Sequence, residues 1–113
     1  MSFGALLLLA AAPAADPSAE NEIVVLARKM QMIEVDIKAP RRHGALVIDR
    51  CRVTKGSGDP ELDAIPCDTA HQCMASAAPP TTRRALSECV EDQSQVRLDA
   101  IAAARIAARE AQP

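Results

Sequence analysis

Four cysteines constrain the fold of this 113-residue chain more than any other feature of its sequence. They are Cys51, Cys67, Cys73 and Cys89. An even number of cysteines in a short chain is typical of a disulfide framework, provided that the chain reaches an oxidising compartment. The disulfide interpretation therefore depends on evidence for export, and the pairing depends on the elements that hold each cysteine.

Residues 3–12 predict an export signal. They have no charge and are mostly Leu and Ala. The run is about ten residues long, whereas a helix that spans a bilayer needs about 20. The small-x-small sequence APA at 12–14 fits a signal-peptidase site, so we expect residues 1–14 to be a signal peptide and the mature chain to begin near Ala15. The mature protein is then expected to be periplasmic or secreted, with no membrane span.

The composition limits the core that can form without cross-links. The only aromatic residue is Phe3, inside the predicted signal, so Ile, Val, Leu, Met and Ala must build the core. About 100 residues with such side chains bury a modest apolar area, and disulfides would compensate. The lack of aromatics disfavours base stacking, and a net charge of −2 gives no attraction to a polyanion. We therefore expect no nucleic-acid partner.

An alternating pattern predicts an antiparallel hairpin in the first half of the chain. In residues 33–38 (IEVDIK), apolar and charged side chains alternate, as in a strand with one buried and one exposed face. A second strand is predicted over residues 45–54, after a loop at 40–44 that contains Pro and Gly. Together with a further strand at residues 23–26, these segments predict a sheet of two to three strands over about residues 23–38 and 45–54.

Residues 23–26 (IVVL) predict that further strand, because they are continuously apolar and mostly β-branched. A helix over residues 23–38 is the alternative, since Leu26, Met30 and Ile33 would share one helical face. As an exposed edge strand, the segment could accept a strand from a partner protein. The preceding residues 15–22 are expected to form a flexible N-terminus.

The rest of the chain predicts a helical hairpin, over about residues 60–77 and 81–110. Asp59 is a suitable N-cap for the first helix, which must kink or restart at Pro66. After the break at APP, either threonine of the pair at 81–82 can cap the final helix. That helix is predicted to bury one apolar stripe, formed by Leu86, Cys89, Val90, Val96, Ala100 and Ala104.

These elements favour one of the three pairings that four cysteines allow. A Cys51–Cys67 bond would join the strand at 45–54 to the helix that packs on it. A Cys73–Cys89 bond would join the two predicted helices. Each bond closes a loop of about sixteen residues, which the chain-entropy account equates with about 3 kcal/mol of stability. The sequence therefore predicts one disulfide-stapled α+β domain over residues 23–110, with a helical C-terminal tail.

A metal or redox site is the alternative role for the cysteines. Cys67 and His71 are four residues apart and could share a helical face, with Cys73 close by, and both residue types bind zinc. The chain has no C-x-x-C pair, however, and an oxidising compartment disfavours free thiolates. The sequence also lacks G-x-S-x-G, phosphate-loop and H-E-x-x-H motifs. We therefore expect neither an enzyme nor a cofactor-dependent protein, with metal or redox handling as the alternative.

The segment 47–67 resembles part of the C-terminal domain of TonB-type energy transducers. In that family a strand precedes a Ser/Gly turn, and a helix that begins with a Leu-Asp pair follows. The matching residues here are Cys51, Val53, Ser57, Gly58, Leu62, Asp63 and Cys67. The resemblance covers about a fifth of the chain. It implies an envelope location, an α+β fold and contact with another envelope protein.

Two departures limit what this resemblance implies. A TonB-type transducer keeps a membrane anchor and a Pro-rich spacer, whereas this chain is predicted to lose its apolar segment and has no such spacer. A helical stretch also follows where that family has a strand that pairs with a receptor, so energy transduction is not implied. The sequence as a whole predicts an exported, non-catalytic, disulfide-stabilised interaction module whose partner is another envelope protein.

Overall fold

The computed structural model describes residues 17–112, which form four helices and four short strands. The helices are α1 (Pro17–Met32), α2 (Pro60–Asp63), α3 (Ile65–Met74) and α4 (Arg83–Glu110). The strands are β1 (Glu34–Lys38), β2 (Arg41–Arg42), β3 (Ala45–Leu46) and β4 (Arg50–Lys55). The predicted α+β class is confirmed, whereas the signal peptide predicted at residues 1–14 lies outside the described residues.

Helix α1 occupies the region where the sequence predicted an edge strand. Residues 23–26 lie in the middle of α1, so the strand prediction is wrong there. The helical alternative is correct as far as Met32, beyond which β1 begins. Leu26 is only 1% exposed, and Met30 and Ile33 pack beside it on the core. Burial of this face outweighs the β preference of Ile and Val, because that preference spans only about 1 kcal/mol. α1 begins at Pro17 and so includes most of the predicted flexible N-terminus.

The predicted hairpin is present, but its second strand is shorter than expected. β1 pairs antiparallel with β4, in a register that places Ile37 opposite Cys51. Residues 45–54, predicted as one strand, are divided between β3 and β4. The reason is a tight turn at His43 and Gly44, which both adopt positive φ (54° and 79°) and fold β3 back onto β2 as a separate small hairpin.

The helix starts predicted from capping residues are confirmed, whereas the first helical stretch ends at Met74 and not at about residue 77. The Asp59 carboxylate accepts hydrogen bonds from two backbone amides in the first turn of α2, at 3.2 and 3.4 Å. α3 starts afresh with Pro66 in its first turn, where the missing N–H removes no helical hydrogen bond. Thr82 caps α4, since its hydroxyl accepts a hydrogen bond from the Ala85 amide at 3.0 Å.

Two clusters of buried aliphatic side chains form the core, and α4 contributes to both. The members of the first cluster are Leu26, Leu62, Ile65, Leu98 and Ala102. The members of the second are Ala39, Leu46, Cys73 and Leu86. Neither cluster contains an aromatic side chain, so each buries a small apolar area, and α4 connects them along its length.

The buried stripe of α4 follows the predicted one only in its first half. Its first three predicted members pack in or against the second cluster: Leu86, Cys89 and Val90. Beyond them the prediction is wrong, because Val96 is 60% exposed and both Ala100 and Ala104 are exposed. The residues that face the core there are Leu98, Ile101 and Ala102. They lie where α1 packs, and the position of α1 cannot be inferred from the sequence of α4 alone.

Candidate functional site

Both disulfides attach to α3, one near each end. Near the start of the helix, Cys67 is bonded to Cys51 of β4, with the two Cα atoms 5.6 Å apart. Near its end, Cys73 is bonded to Cys89 of α4, with a Cα separation of 6.2 Å. Both distances are normal for disulfides, and the pairing is the one that the sequence favoured. Helix α3 is therefore linked covalently to the sheet and to α4.

These bonds argue against the metal site that the alternative placed at Cys67, His71 and Cys73. Metal binding requires a thiolate, and both of these cysteines are in disulfides. His71 is exposed on α3. Within residues 17–112, no group of three or more His, Cys, Asp or Glu side chains could hold a metal ion.

Several of the residues that resemble the TonB-type domain have a structural role in the turn between β4 and α2. The Asp63 carboxylate accepts hydrogen bonds from the amide and the hydroxyl of Ser57, at 2.8 and 2.7 Å. A side chain at Gly56 would displace this carboxylate, because a Cβ at that position would lie 2.6 Å from Asp63 Oδ2. Gly58 adopts a φ of 89°, and Leu62 is completely buried. These residues shape the connection between the strand and the helix.

Arg105 of α4 fixes this connection against the long helix. Its guanidinium donates to both carboxylate oxygens of Asp59, at 2.8 and 3.1 Å, and to Glu61 at 2.9 Å. The hydrogen bond from Arg105 is the main cause that holds the pKa of Asp59 below its ordinary value, and burial opposes it. Sequence analysis identified Asp59 only as a helix cap, because Arg105 lies 46 residues away and no local pattern indicates the contact.

A groove separates β1 from the facing side of α4, and we call it the β1–α4 groove. One wall is formed by Val35, Asp36, Ile37 and Ala39. The other wall is formed by Arg83, Leu86, Ser87, Val90 and Glu91. This part has a volume of about 430 Å³. A second space of about 620 Å³ continues it toward the end of α1, beside Met30, Ile33, Ser94, Gln95 and Leu98.

The lining of this groove is mostly apolar, with charges at separate positions. At one end, Arg83 Nε donates a hydrogen bond to the carbonyl of Ala39 at 3.2 Å. Glu91 lies between the two spaces and lines both. Neither Arg83 nor Glu91 forms an ion pair with any residue in the described part of the chain. The groove thus offers apolar surface together with two charges that remain available to a ligand.

The partner-strand site predicted at residues 23–26 is wrong, because a helix uses its backbone hydrogen bonds internally. Sequence reasoning also missed the groove itself. Its walls come from residues about 50 positions apart, and only the alternation around Val35 indicated that one wall would be a strand.

Comparison of the chain with protein-family models, with curated proteins and with solved structures gave no match. The resemblance of residues 47–67 to the TonB-type domain therefore stays a prediction. None of the helices between residues 17 and 112 is long and apolar enough to cross a membrane.

Replacing Arg105 by Gln should lower the free energy of unfolding by about 1–2 kcal/mol at neutral pH, because it removes charge-assisted hydrogen bonds to Asp59 and Glu61. The matched control is Arg97→Gln on the same helix. It removes one exposed bond to Asp68 and should change stability by less than about 0.5 kcal/mol. Urea unfolding followed by far-UV circular dichroism measures both effects.

The effect of Arg105→Gln should also depend on pH. The pKa of Asp59 is lowered in the folded protein, so its stabilising contribution is complete above the unfolded pKa of about 4. That contribution is lost as the pH falls through the folded pKa. The stability difference between wild type and Arg105→Gln should therefore shrink below about pH 4. A difference that stays constant into strong acid would contradict the ion pair as the cause.

Proposed function

We propose that this protein is an exported, non-catalytic binding protein of the cell envelope, and that it binds another envelope protein in the β1–α4 groove. The observation that supports this proposal most strongly is a mostly apolar groove whose two walls are connected through α3, by two disulfides and by the hydrogen bonds between β1 and β4. A groove whose walls are fixed before binding avoids much of the entropy loss that ordering them would require.

A short path of bonds joins the two walls of the groove. β1 is hydrogen-bonded to β4, and Cys51–Cys67 joins β4 to α3. Cys73–Cys89 then joins α3 to α4. Because the two core clusters contain no aromatic side chains, packing alone supplies limited rigidity. The disulfides therefore compensate for the small core at the place where the groove needs a defined width.

Export is supported by two independent features. Residues 3–12 have the length and composition of the apolar part of a signal peptide. The folded domain contains two disulfides, which form and persist in oxidising compartments. The resemblance of residues 47–67 to a TonB-type domain adds support for the envelope, and for the periplasm in particular.

Among its described residues, the groove contains neither of the groups, imidazole and thiol, that nucleophilic catalysis most often uses. His43 lies in the turn between β2 and β3, and His71 is exposed on α3, so neither lines the groove. The cysteines are all in disulfides. The hydroxyls of Ser87 and Ser94 therefore have no imidazole in the groove that could act as a general base.

Export and oxidation can be measured together, as the intact mass of the protein recovered from a bacterial periplasm. We expect a chain that begins near Ala15, in which no thiol reacts with an alkylating reagent before reduction and all four react afterwards. Free thiols in a chain that still begins at Met1 would contradict the proposed compartment.

Binding in the groove can be tested by crosslinking in cells that express the protein naturally. A photoreactive amino acid at Gln95, which lines the groove, should form a discrete adduct with one envelope protein. The control carries the same photoreactive amino acid at Ala104, which is exposed on α4 and lines neither part of the groove.

Blocking the groove should abolish the adduct from Gln95. Ser87→Trp places a large side chain in the groove, and Ala104→Trp makes the same change outside it. Both positions are exposed, so each variant should be as stable as wild type to within about 0.5 kcal/mol. An adduct that persists with Ser87→Trp, or that forms equally well from Ala104, would contradict the proposed function.

A further inference from the structure

The free edge of β1 forms one wall of the β1–α4 groove. Val35, Asp36 and Ile37 are consecutive in the strand, and all three line the groove. The Lys38 carbonyl accepts a hydrogen bond from the Asp49 amide, beside β4, whereas the Ala39 carbonyl accepts one from Arg83 of α4. Backbone groups of successive strand residues point to opposite edges, so those of Val35 and Ile37 also point toward the groove. β4 pairs with the opposite edge and contributes no residue to the groove. Among the described residues, β1 and β4 are the only strands in their sheet, so the groove edge has no strand partner.

The opposite wall presents two charges of opposite sign at a fixed separation. Arg83 and Glu91 lie eight residues apart on α4, which corresponds to about 12 Å along a helix. Leu86 and Val90 lie between these charges and line the same part of the groove. A ligand that lies along α4 therefore meets a positive charge, apolar side chains and a negative charge in that order.

The free edge of β1 matches this spacing. Ala39 lies at the Arg83 end, where its carbonyl accepts the hydrogen bond from Arg83 Nε. Val35 lies at the other end, where it lines both parts of the groove together with Glu91. The four residue steps from Val35 to Ala39 span about 13 Å in a strand. β1 therefore runs antiparallel to α4, and its exposed edge covers the distance between the two charges.

We propose that the groove binds an extended five-residue segment of the partner, which adds to the free edge of β1 as a third strand and reads acidic-x-apolar-x-basic. The inference rests on the proposed binding function. In a strand, the first, third and fifth residues share one face, and the first and fifth lie about 13 Å apart. A segment antiparallel to β1 begins at the Arg83 end, so its acidic residue meets Arg83 and its basic residue meets Glu91.

An extended occupant fits this groove better than a helical one. A strand forms hydrogen bonds with the backbone groups that Val35 and Ile37 direct into the groove, beside the Ala39 carbonyl that already accepts from Arg83. A helix would cover the same groups without pairing them, and buried unpaired backbone groups are costly. The antiparallel direction is the one that β1 already uses with β4. The order of charges in the segment therefore follows from the direction of its chain.

The test uses the oxidised mature protein, isotope-labelled for NMR, and three short peptides with blocked ends. The first contains Asp-Thr-Val-Thr-Lys, the second contains Lys-Thr-Val-Thr-Asp, and the third has Ser in place of both charged residues. We expect the first peptide to bind about tenfold more tightly than the second, with the third between them. The first peptide should also shift the amide signals of β1 and slow their exchange with solvent.

Exchanging the two charges on the protein should exchange the preference for the peptides. The double variant Arg83→Glu/Glu91→Arg keeps the net charge, and both positions are exposed on α4. It should bind the second peptide more tightly than the first, again by about tenfold. A general attraction between oppositely charged molecules does not reverse in this way, because neither the protein nor the peptides change net charge.

Three results would each overturn this inference. They are equal binding of the three peptides, an unchanged preference in the double variant, and no effect of the first peptide on the β1 amides. A different result, from the crosslinking experiment, would contradict the proposed function. If the Gln95 adduct requires an open groove but the peptides show no preference, the binding function stands and the strand assignment is wrong. If the adduct does not depend on the groove, the binding function itself is wrong.

Discussion

The covalent attachment of α3 at both of its ends is the constraint on which the rest of this structure depends. Cys51–Cys67 holds the helix to the sheet, and Cys73–Cys89 holds it to α4. In each disulfide the two cysteines are 16 positions apart in the sequence. Closing a loop of this length contributes about 3 kcal/mol of stability in the chain-entropy account. Small domains are stable by only about 5–15 kcal/mol in total, so the two bonds together are comparable with the net stability.

The groove follows from this arrangement together with the shortness of the sheet. α4 has 28 residues and extends for about 42 Å, far beyond the five-residue strand β1 that it faces. Its N-terminal half packs on the second core cluster through Leu86, and its C-terminal half packs on α1 through Leu98. Between these contacts, the sheet ends at β1 and leaves the groove open beside α4.

The parts of the structure that were predicted correctly depend on short spacings in the sequence. Asp59 and Thr82 identify helix starts because capping acts over two or three residues, and the favoured disulfide pairing follows from elements close in sequence. The strand predicted at 23–26 failed because Leu26 is buried by α4, which the local β-branched pattern does not reveal. Arg105 and the groove were missed for the same reason, since both arise from contacts between distant residues.

The central claim is that the disulfides on α3 hold the groove walls in place before any partner binds. Amide hydrogen exchange in the wild type and in the Cys73→Ser/Cys89→Ser double variant tests it most directly. The loss of one loop closure, about 3 kcal/mol, would accelerate globally limited exchange by about 100-fold throughout the domain; the account predicts an additional acceleration in β1 and around Leu86. Exchange around Leu26, in the other core cluster, should change less. No additional acceleration in β1 and around Leu86 would show that packing alone fixes the groove and would contradict the account.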